Sequence, residues 1–260
     1  LAGERYSFEV KEQQLADAET ETSIKPLQLS ATDVVLFTGG ARGITAQCAL
    51  AVAQRYQCHI VLLGRTPQPE ADESPEIAAA QDLPALRKMI IEQHPQMRPA
   101  QIETECAKIL ANREIIHTLD EIKAAGSRVD YYSVDVRDKD ALGNLMTQIA
   151  KQHGTLKGII HGAGIIEDKL IRHKTLESFE RVLTTKVVGA LNLVEIMPPT
   201  VEFVVFFSSI AGVFGNRGQV DYATANDALD KLSKLLNNKI KGRVISINWG
   251  PWAAGMVSAE

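Results

Sequence analysis

Three polar residues in the last quarter of the chain have the types and the spacing that could protonate a carbonyl oxygen. Ser209 closes an apolar run, Tyr222 follows thirteen positions later, and Asn226 lies one helical turn beyond Tyr222. A fourth residue, Lys186, lies in the helix-length segment before that run. Hydride addition to a ketone leaves negative charge on the oxygen, so the reaction needs one group that donates a proton and another that holds the oxygen. These four residues can supply both groups.

Each of the four residues can be given a role on chemical grounds. Tyr222 would be the general acid, and Ser209 would donate a hydrogen bond to the carbonyl oxygen. Lys186 would keep the phenol acidic by its charge and bind a ribose, while Asn226 would hold a relay water or Lys186 itself. Taken singly, they could be a cap, a surface aromatic, a solvated charge and a turn residue; their joint occurrence favours catalysis.

A glycine-rich turn at 38–45 follows the first apolar run, 33–37, and predicts a dinucleotide site. Glycines there let a strand turn sharply and present backbone N–H groups, at the start of a helix, to a pyrophosphate. The cofactor-binding candidates in this turn are Thr38, Gly39, Gly40, Arg42, Gly43 and Ile44.

The second apolar run ends at Gly64 and Arg65, and this pair predicts which dinucleotide binds. A site for NAD would place an acidic residue there, on the ribose hydroxyls. A guanidinium can instead bond a 2′-phosphate bidentately, so Arg65 favours NADPH. Arg42 is a second candidate for that phosphate, and a solvated loop arginine stays the alternative for Arg65.

The elements that must position these residues form a parallel sheet with helices on both faces. Apolar runs of strand length alternate with helix-length segments, which is typical of a doubly wound α/β fold of the Rossmann type. The predicted strands are 33–37, 59–63, 129–134, 158–160, 203–207 and 243–248, and the predicted helices between them include 44–57, 138–153 and 176–197.

The interval between the second and third predicted strands, 66–127, is about twice as long as a simple crossover. Its first part, 67–81, is rich in proline and acidic residues, whereas 101–125 has apolar residues at helical spacing, enough for a helix of about 37 Å. The sequence therefore predicts a helical insertion after the second strand. It is either an elaborated crossover without chemistry of its own or a surface that docks neighbouring domains or a partner chain.

Composition excludes several classes of protein. The chain has 260 residues, of which 45% are hydrophobic and 23% charged, with a net charge of −4, so it can form a core and is neither disordered nor fibrous. The apolar runs are strand-sized, far short of the roughly 20 residues of a membrane span. No predicted helix carries a stripe of Lys and Arg, which argues against nucleic-acid binding.

The cysteines and the N-terminal segment indicate the setting of the chain. Cys48, Cys58 and Cys106 are odd in number and lack zinc spacing, which favours reduced thiols, no metal site and a cytoplasmic location. Residues 1–30 are polar and acidic and predict a linker with a strand remnant, followed by one catalytic domain at 31–260. The start lacks an initiator methionine and a signal core, so we expect a larger parent polypeptide.

The glycine-rich turn resembles that of the short-chain dehydrogenase/reductase superfamily, except that Thr45 replaces its last glycine and predicts slightly looser packing there. Simple members have Lys where this chain has Asn226 and Asn where it has Lys186. That exchange resembles the ketoreductase domains of polyketide and polyunsaturated-fatty-acid synthases. The resemblance spans about 33–257 and includes Phe207–Val213, Gly218–Gln219, Tyr222–Asn226 and Asn248–Trp252.

The resemblance implies further cofactor contacts. Asp135 and Val136 occupy the place of the family's adenine contact. The turn beside the nicotinamide is formed by Gly162, Ala163 and Gly164, preceded by His161, which we interpret as a structural residue.

The resemblance also implies a substrate and partners: a β-ketoacyl chain on an acyl carrier protein, reduced with NADPH beside neighbouring synthase domains. The segment ending at 110–115 is most similar to the iterative polyunsaturated-fatty-acid type. Residues 1–30 would then hold the tail of a preceding structural half, and the chain would end before a lid helix and a last strand. A free-standing reductase of a small ketone and a redox-silent, NADPH-binding scaffold are the alternatives.

Three residues after the nicotinamide turn, Ile166, Glu167 and Asp168, occupy the place of a Leu-Asp-Asp triplet that accompanies a 3R hydroxyl in the resembled family. The opposite class carries a Trp eight positions before the catalytic tyrosine, where this chain has Phe214. The resemblance therefore implies a 3R product. A helix-capping role stays the alternative for Asp168.

Overall fold

The computed structural model describes residues 27–69, 73–237 and 239–252. Most of the predicted linker, 1–30, and the end of the chain, 253–260, lie outside the described residues.

Six parallel strands form a single sheet in the described part of the chain, and each of the six predicted strands is confirmed. The sheet has the order β3-β2-β1-β4-β5-β6. The strand order reverses between β1 and β4, which is the switch point where ligands bind in doubly wound folds. The strands are β1 (Asp33–Thr38), β2 (His59–Gly64), β3 (Val129–Ser133), β4 (Thr155–His161), β5 (Phe203–Ser209) and β6 (Arg243–Trp249).

Alternate residues of each strand point to opposite sides of the sheet, so both faces are apolar and both are covered by helices. In β1, Val34 and Leu36 belong to one core cluster, whereas Val35 and Phe37 belong to another. The crossover helices supply further residues of these clusters. They are α1 (Gly43–Tyr56), α5 (Lys139–Gln152), α6 (Leu176–Ile196) and α8 (Val220–Asn237), with the short α7 (Ala211–Phe214) between β5 and α8. The doubly wound α/β fold is therefore confirmed.

Three helices fill the insertion between β2 and β3: α2 (Pro75–Ala79), α3 (Leu83–Gln93) and α4 (Pro99–Ala124). The predicted long helix is present, and its 26 residues correspond to about 39 Å. A small core of its own holds the insertion together, made by Ala80, Leu86, Ile90, Ile102, Cys106 and Ile109. The C-terminal half of α4 packs on the sheet through Ile115 and Ile122, which are fully or almost fully buried.

Two sequence expectations about composition can be checked against the described residues. No helix there is long and apolar enough to cross a membrane. Cys58 and Cys106 are buried, Cys48 is half-buried, and all three are free thiols.

Candidate active site

The glycine-rich turn lies at the carboxyl end of β1, beside the switch point. Gly39 and Gly43 have φ of 69° and 58°, a region that side chains disfavour. A Cβ on Gly39 would lie 2.9 Å from the backbone of Ala163, so the turn after β1 and the turn after β4 approach closely. Only glycine permits this approach.

The shape of the turn fits a dinucleotide. Helix α1 begins at Gly43, and its N-cap residue, Arg42, makes no side-chain capping bond. The first N–H groups of a helix have no partner within it, so those at Ile44 and Thr45 can bind an anion at this end of α1. The residues expected to hold the pyrophosphate therefore converge on one groove, where the carboxylate of Glu114 accepts from the N–H of Gly43 at 2.8 Å.

Thr45 packs tightly rather than loosely, contrary to the expectation from the missing glycine. Its side chain is buried, and a Cβ on Gly162 would lie 2.3 Å from its Oγ1. The glycine that allows close contact between these elements therefore lies in the turn after β4, whereas the resembled family has it in α1.

His161 connects three elements and is fully buried. Its Nε2 lies 2.9 Å from the carbonyl oxygen of Lys186, which can only accept, so Nε2 carries the proton. Its Nδ1 then accepts from the hydroxyl of Thr38 at 2.7 Å, and that hydroxyl accepts from the N–H of Ala163 at 3.3 Å. Burial and the Lys186 charge lower the pKa of His161 to about 4, so the ring is neutral. Both ring nitrogens are used structurally, and Thr38 contributes through this network.

Lys186 lies on α6 and is 3% exposed. Its Nζ donates to the carbonyl oxygen of Phe207 at 2.8 Å and lies 5.6 Å from the ring centroid of Tyr222. Burial lowers the pKa of Lys186 to about 8, with the charge of Asp230 opposing the shift. A Cβ on Gly164 would lie 2.9 Å from its Cε, so the turn after β4 borders the lysine side chain.

Tyr222 lies on the first turn of α8, against the end of β5. Burial raises the pKa of its phenol, while hydrogen bonds with Ser209 and Asn226 lower it and the charge of Asp168 raises it. The net shift of the phenol pKa is upward, and its acidification by Lys186 stays a prediction. The structure therefore brings Tyr222, Ser209, Asn226 and Lys186 together.

Asn226 is completely buried, and its two amide atoms differ in their surroundings. Nδ2 donates to the carbonyl oxygen of Tyr222 at 2.7 Å, whereas Oδ1 is buried without a hydrogen-bond partner among the described residues. The hydroxyl of Ser208 donates to the carbonyl oxygen of Asn226 at 3.1 Å. The backbone of this turn of α8 is thus fixed on β5, and one acceptor stays available.

The residues predicted to contact the adenine half of the cofactor lie near the ends of β2 and β3. Arg65 is exposed, and its charge contributes to the lowered pKa of Asp135, for which the main cause is the bond from Arg137. The guanidinium of Arg137 contacts both carboxylate oxygens of Asp135, at 2.6 to 3.1 Å. Val136 is 5% exposed and packs in the core, so it offers a ligand its backbone only.

The segment 166–168 is fastened to the helices on either side of it. Glu167 accepts two bonds from Arg181 at 2.8 Å and one from Ser178 at 2.7 Å, and these bonds lower its pKa to about 2. Asp168 accepts from Gln219 at 2.8 Å. The N-cap residue of α6 is Thr175, so Asp168 does not cap that helix.

A buried ion pair beside Tyr222 was not predicted from the sequence. Lys174 Nζ lies 2.7 Å from Asp221 Oδ2, and their side chains are 4% and 1% exposed. Lys174 also donates to the carbonyl oxygen of Glu167, and the N–H of Tyr222 bonds Asp221 Oδ1 at 2.9 Å. The pair ties the segment 166–168 to the first turn of α8. The adjacency of Asp221 to Tyr222 was the only signal in the sequence.

The match to known families follows this geometry. The model of the KR domain, the ketoreductase domain, matches residues 33–254. This chain belongs to the KR domain family. Its polyketide and polyunsaturated-fatty-acid synthase relatives confirm the resemblance found from the sequence motifs.

Relatives of this KR domain are very large proteins. A polyunsaturated fatty acid synthase of Thraustochytrium is 33% identical over 246 residues, which are 90% of this chain but 9% of that protein. Polyketide synthase PksN of Bacillus subtilis is 36% identical over 148 residues, which are 55% of this chain and 3% of that protein. The chain thus spans less than a tenth of these relatives.

Solved ketoreductases share the fold of this KR domain. A ketoreductase domain from the bacillaene assembly line is 31% identical, with a TM-score of 0.65 over 90% of this chain and 48% of that one. The ketoreductase from the first module of phoslactomycin biosynthesis in Streptomyces is 27% identical, with a TM-score of 0.66 over 89% of this chain and 44% of that one. The family and fold together imply an oxidoreductase that uses a nicotinamide cofactor.

Proposed function

We propose that this domain reduces a β-ketoacyl chain carried on an acyl carrier protein to the 3R-hydroxyacyl chain, with NADPH as the reductant. The observation that carries the proposal is the meeting of Ser209, Tyr222, Asn226 and Lys186 beside the glycine-lined groove at the switch point. Packing alone gives no reason for four polar residues from α6, β5 and α8 to meet at one place.

The protein's part in the reaction is proton delivery and charge stabilisation. The nicotinamide supplies the hydride when it is bound. Tyr222 is then the proton donor, because a phenol carries its proton at neutral pH and this one contacts Ser209 at the end of β5. Ser209 donates to the same ketone oxygen, which stabilises the negative charge that develops there.

Lys186 and Asn226 support the tyrosine. With its pKa at about 8, Lys186 is an ammonium at neutral pH and can bind ribose hydroxyls as well as the Phe207 carbonyl. The unpartnered Oδ1 of Asn226 is an acceptor for a relay water that would return a proton to Tyr222.

The preference for NADPH rests on positive charge near the ends of β1 and β2. Arg65 follows β2, Arg42 starts α1, and each is exposed. Burial raises the pKa of the Tyr131 phenol, and the nearby charge of Arg42 opposes that shift. This phenol lies against Gly64 at the end of β2, so Arg42 is close to that strand end. Two guanidinium groups in this region favour a 2′-phosphate over a free hydroxyl.

The tethered substrate is proposed from the relatives, which are multidomain synthases that this chain covers only in small part. A carrier protein and neighbouring synthase domains are accordingly the proposed partners. The exchange of Lys and Asn between α6 and α8 supports the same class of enzyme.

The test is reduction of a β-ketoacyl carrier protein by this chain with NADPH, followed by intact-mass spectrometry. We expect the acyl mass to rise by two hydrogens. Tyr222→Phe should bind NADPH normally but turn over at least about 10²-fold more slowly, because general acid catalysis contributes about that much. Tyr56→Phe, on the far end of α1, is the control and should keep full activity.

Three results would count against the proposal in different ways. Near-normal turnover by Tyr222→Phe would remove the tyrosine from its role. NADPH binding without any mass change of the carrier-bound substrate would favour the redox-silent scaffold, and reduction of free small ketones only would favour the free-standing reductase.

A further inference from the structure

Helix α1 has no cap of its own at its N-terminus. Arg42, at the N-cap position, makes no side-chain bond to the helix, and the first turn contains no acidic residue. Such a helix end leaves N–H groups without partners, and it favours negative charge.

The missing cap comes from the insertion, 71 residues away in sequence. The carboxylate of Glu114, on α4, accepts from the N–H of Gly43 at 2.8 Å and from Nε of Arg42 at 2.7 Å. One carboxylate thus holds both the first residue of α1 and the side chain that precedes it. The contact fixes the Nε edge of the Arg42 guanidinium, on a side chain that is 52% exposed, and leaves its other edge open to a ligand.

Arg113, the residue before Glu114, anchors α4 to the rest of the insertion. Arg113 contacts Glu73 at 2.8 Å and donates to the carbonyl oxygens of Ile77 and Ala80 at 2.6 and 2.7 Å. These carbonyls lie at the end of α2, where a cation is favourable. The insertion is therefore fastened to itself by Arg113 and to the coenzyme turn by Glu114.

We infer that Glu114 is a positioning residue for the coenzyme: from the insertion, it caps α1 and orients Arg42 toward the 2′-phosphate of the dinucleotide. This inference rests on the proposed use of NADPH. An arginine held on one edge by a carboxylate loses less freedom when its other edge binds a phosphate, so the pair stabilises the complex. It gives the insertion a part in coenzyme binding, which neither interpretation from the sequence assigned to it.

The two contacts of Glu114 can be separated by substitution. Glu114→Gln keeps an oxygen that accepts from Gly43 but loses the charge that holds Arg42. Glu114→Ala loses both contacts. Glu103→Gln is the control, because Glu103 also lies on α4 and also pairs with an arginine, Arg87, at 2.6 Å, but only within the insertion.

The experiment titrates each variant with NADPH and with NADH, following nucleotide fluorescence, and measures KM and kcat. Glu114→Gln should raise the Kd and KM for NADPH about fivefold to tenfold with kcat within about twofold, and should affect NADH less. Glu114→Ala should weaken both nucleotides further, and Glu103→Gln should match the wild type. In an Arg42→Ala background, Glu114→Gln should have no further effect on NADPH, because the pair acts as one unit.

The contrary outcomes are distinct. Unchanged or tighter NADPH binding by Glu114→Gln, while the wild type binds NADPH well, would overturn the inference and leave the proposed function standing. A full effect of Glu114→Gln in the Arg42→Ala background would also overturn it. Failure of the wild type to bind NADPH would overturn the proposed function and this inference with it.

Discussion

The ammonium of Lys186 is costly to bury. It lies 3% exposed beneath Tyr222, and burial lowers its pKa from 10.5 to about 8. Its bond to Phe207 offsets only part of the hydration that it loses. The free protein therefore carries a destabilising charge at a place where a ribose would add partners.

Lys186 should make the stability of the free protein depend on pH. Below about pH 8 the lysine is protonated in both the folded and the unfolded chain, so it does not change the free energy of unfolding with pH. Between about 8 and 10.5 the unfolded chain keeps the proton that the folded chain has lost, so stability rises with pH and the gain disappears as pH falls back toward 8. From pH 7.5 to 9.5 the gain should be roughly 2 kcal/mol.

Urea unfolding across this range checks the lysine prediction. The free energy of unfolding of the wild type should rise relative to that of Lys186→Met, which has no charge to lose. Lys151→Met, a change at an exposed position on α5, should follow the wild type. Parallel curves for the wild type and Lys186→Met would show that the lysine does not titrate in this range.

At the residue scale, the sequence predicted the site better than its electrostatics. The spacing of Ser209, Tyr222 and Asn226 follows strand and helix periods, so their meeting could be foreseen. The pKa of Tyr222 depends on burial against β5, which no local pattern encodes. Nor could the bond between Glu114 and Gly43 be predicted, since its partners lie far apart in sequence.

At the scale of elements, the close contact between the turn after β4 and helix α1 depends on a glycine in the turn, Gly162, and not on one in the helix. Gly162 is small where Thr45 is large, and they meet at the switch point. This pairing keeps the two turns close enough to share one groove. It corrects the expectation that Thr45 would loosen the packing.

Gly162→Ala should destabilise the fold by about 1–3 kcal/mol, the usual cost of overpacking. The added Cβ would lie 2.3 Å from Thr45 Oγ1 and 2.9 Å from its Cγ2. Thermal unfolding should show the loss, and Thr45→Ala in the same chain should recover most of it. Gly143→Ala on α5 is the control: its Cβ meets nothing within 4 Å, so it should be neutral or slightly stabilising. Independent, additive losses in the double variant would exclude this pairing.

The prediction of elements succeeded where periodicity is strong and failed where it is weak. The strands and the long helix α4 follow clear apolar patterns. Helices α2 and α3 were not predicted, although each begins with a capping residue, Ser74 or Asp82, followed within two positions by a proline. The first signal lies in the segment 67–81, which we interpreted only by its proline and acidic content, and the second lies just after that segment.

At the scale of the whole molecule, the sheet edge gathers contributions from nearly every crossover. The turn after β1 and the turn after β4 form the groove, α6 supplies Lys186, and β5 and α8 supply Ser209 and Tyr222, the proposed donors to the ketone oxygen. The insertion adds Glu114 from the outer side. Residues that are far apart in sequence act together because parallel strands place all their carboxyl ends at one edge.

The segment 166–168 and Phe214 bear on which face of the ketone is reduced. The segment 166–168 is held to the first turn of α8 by Lys174, which bonds both Glu167 and Asp221, and to Gln219, the residue before α8, by the bond from Gln219 to Asp168. These contacts fix it beside the phenol. Phe214, 56% exposed at the end of α7, stands where the opposite class of the family carries a tryptophan.

We therefore expect the 3R-hydroxyacyl product, because a chain that enters past the segment 166–168 must present one face of its ketone while Tyr222 and Ser209 hold the oxygen. Chiral chromatography of the thioester released from the carrier decides the configuration, with borohydride-reduced, racemic thioester marking both positions. A predominantly 3S product would overturn the roles of Ile166, Glu167, Asp168 and Phe214 in stereocontrol. It would leave the proposed reductase intact, since the proposed proton transfer from Tyr222 reaches the oxygen whichever face receives the hydride.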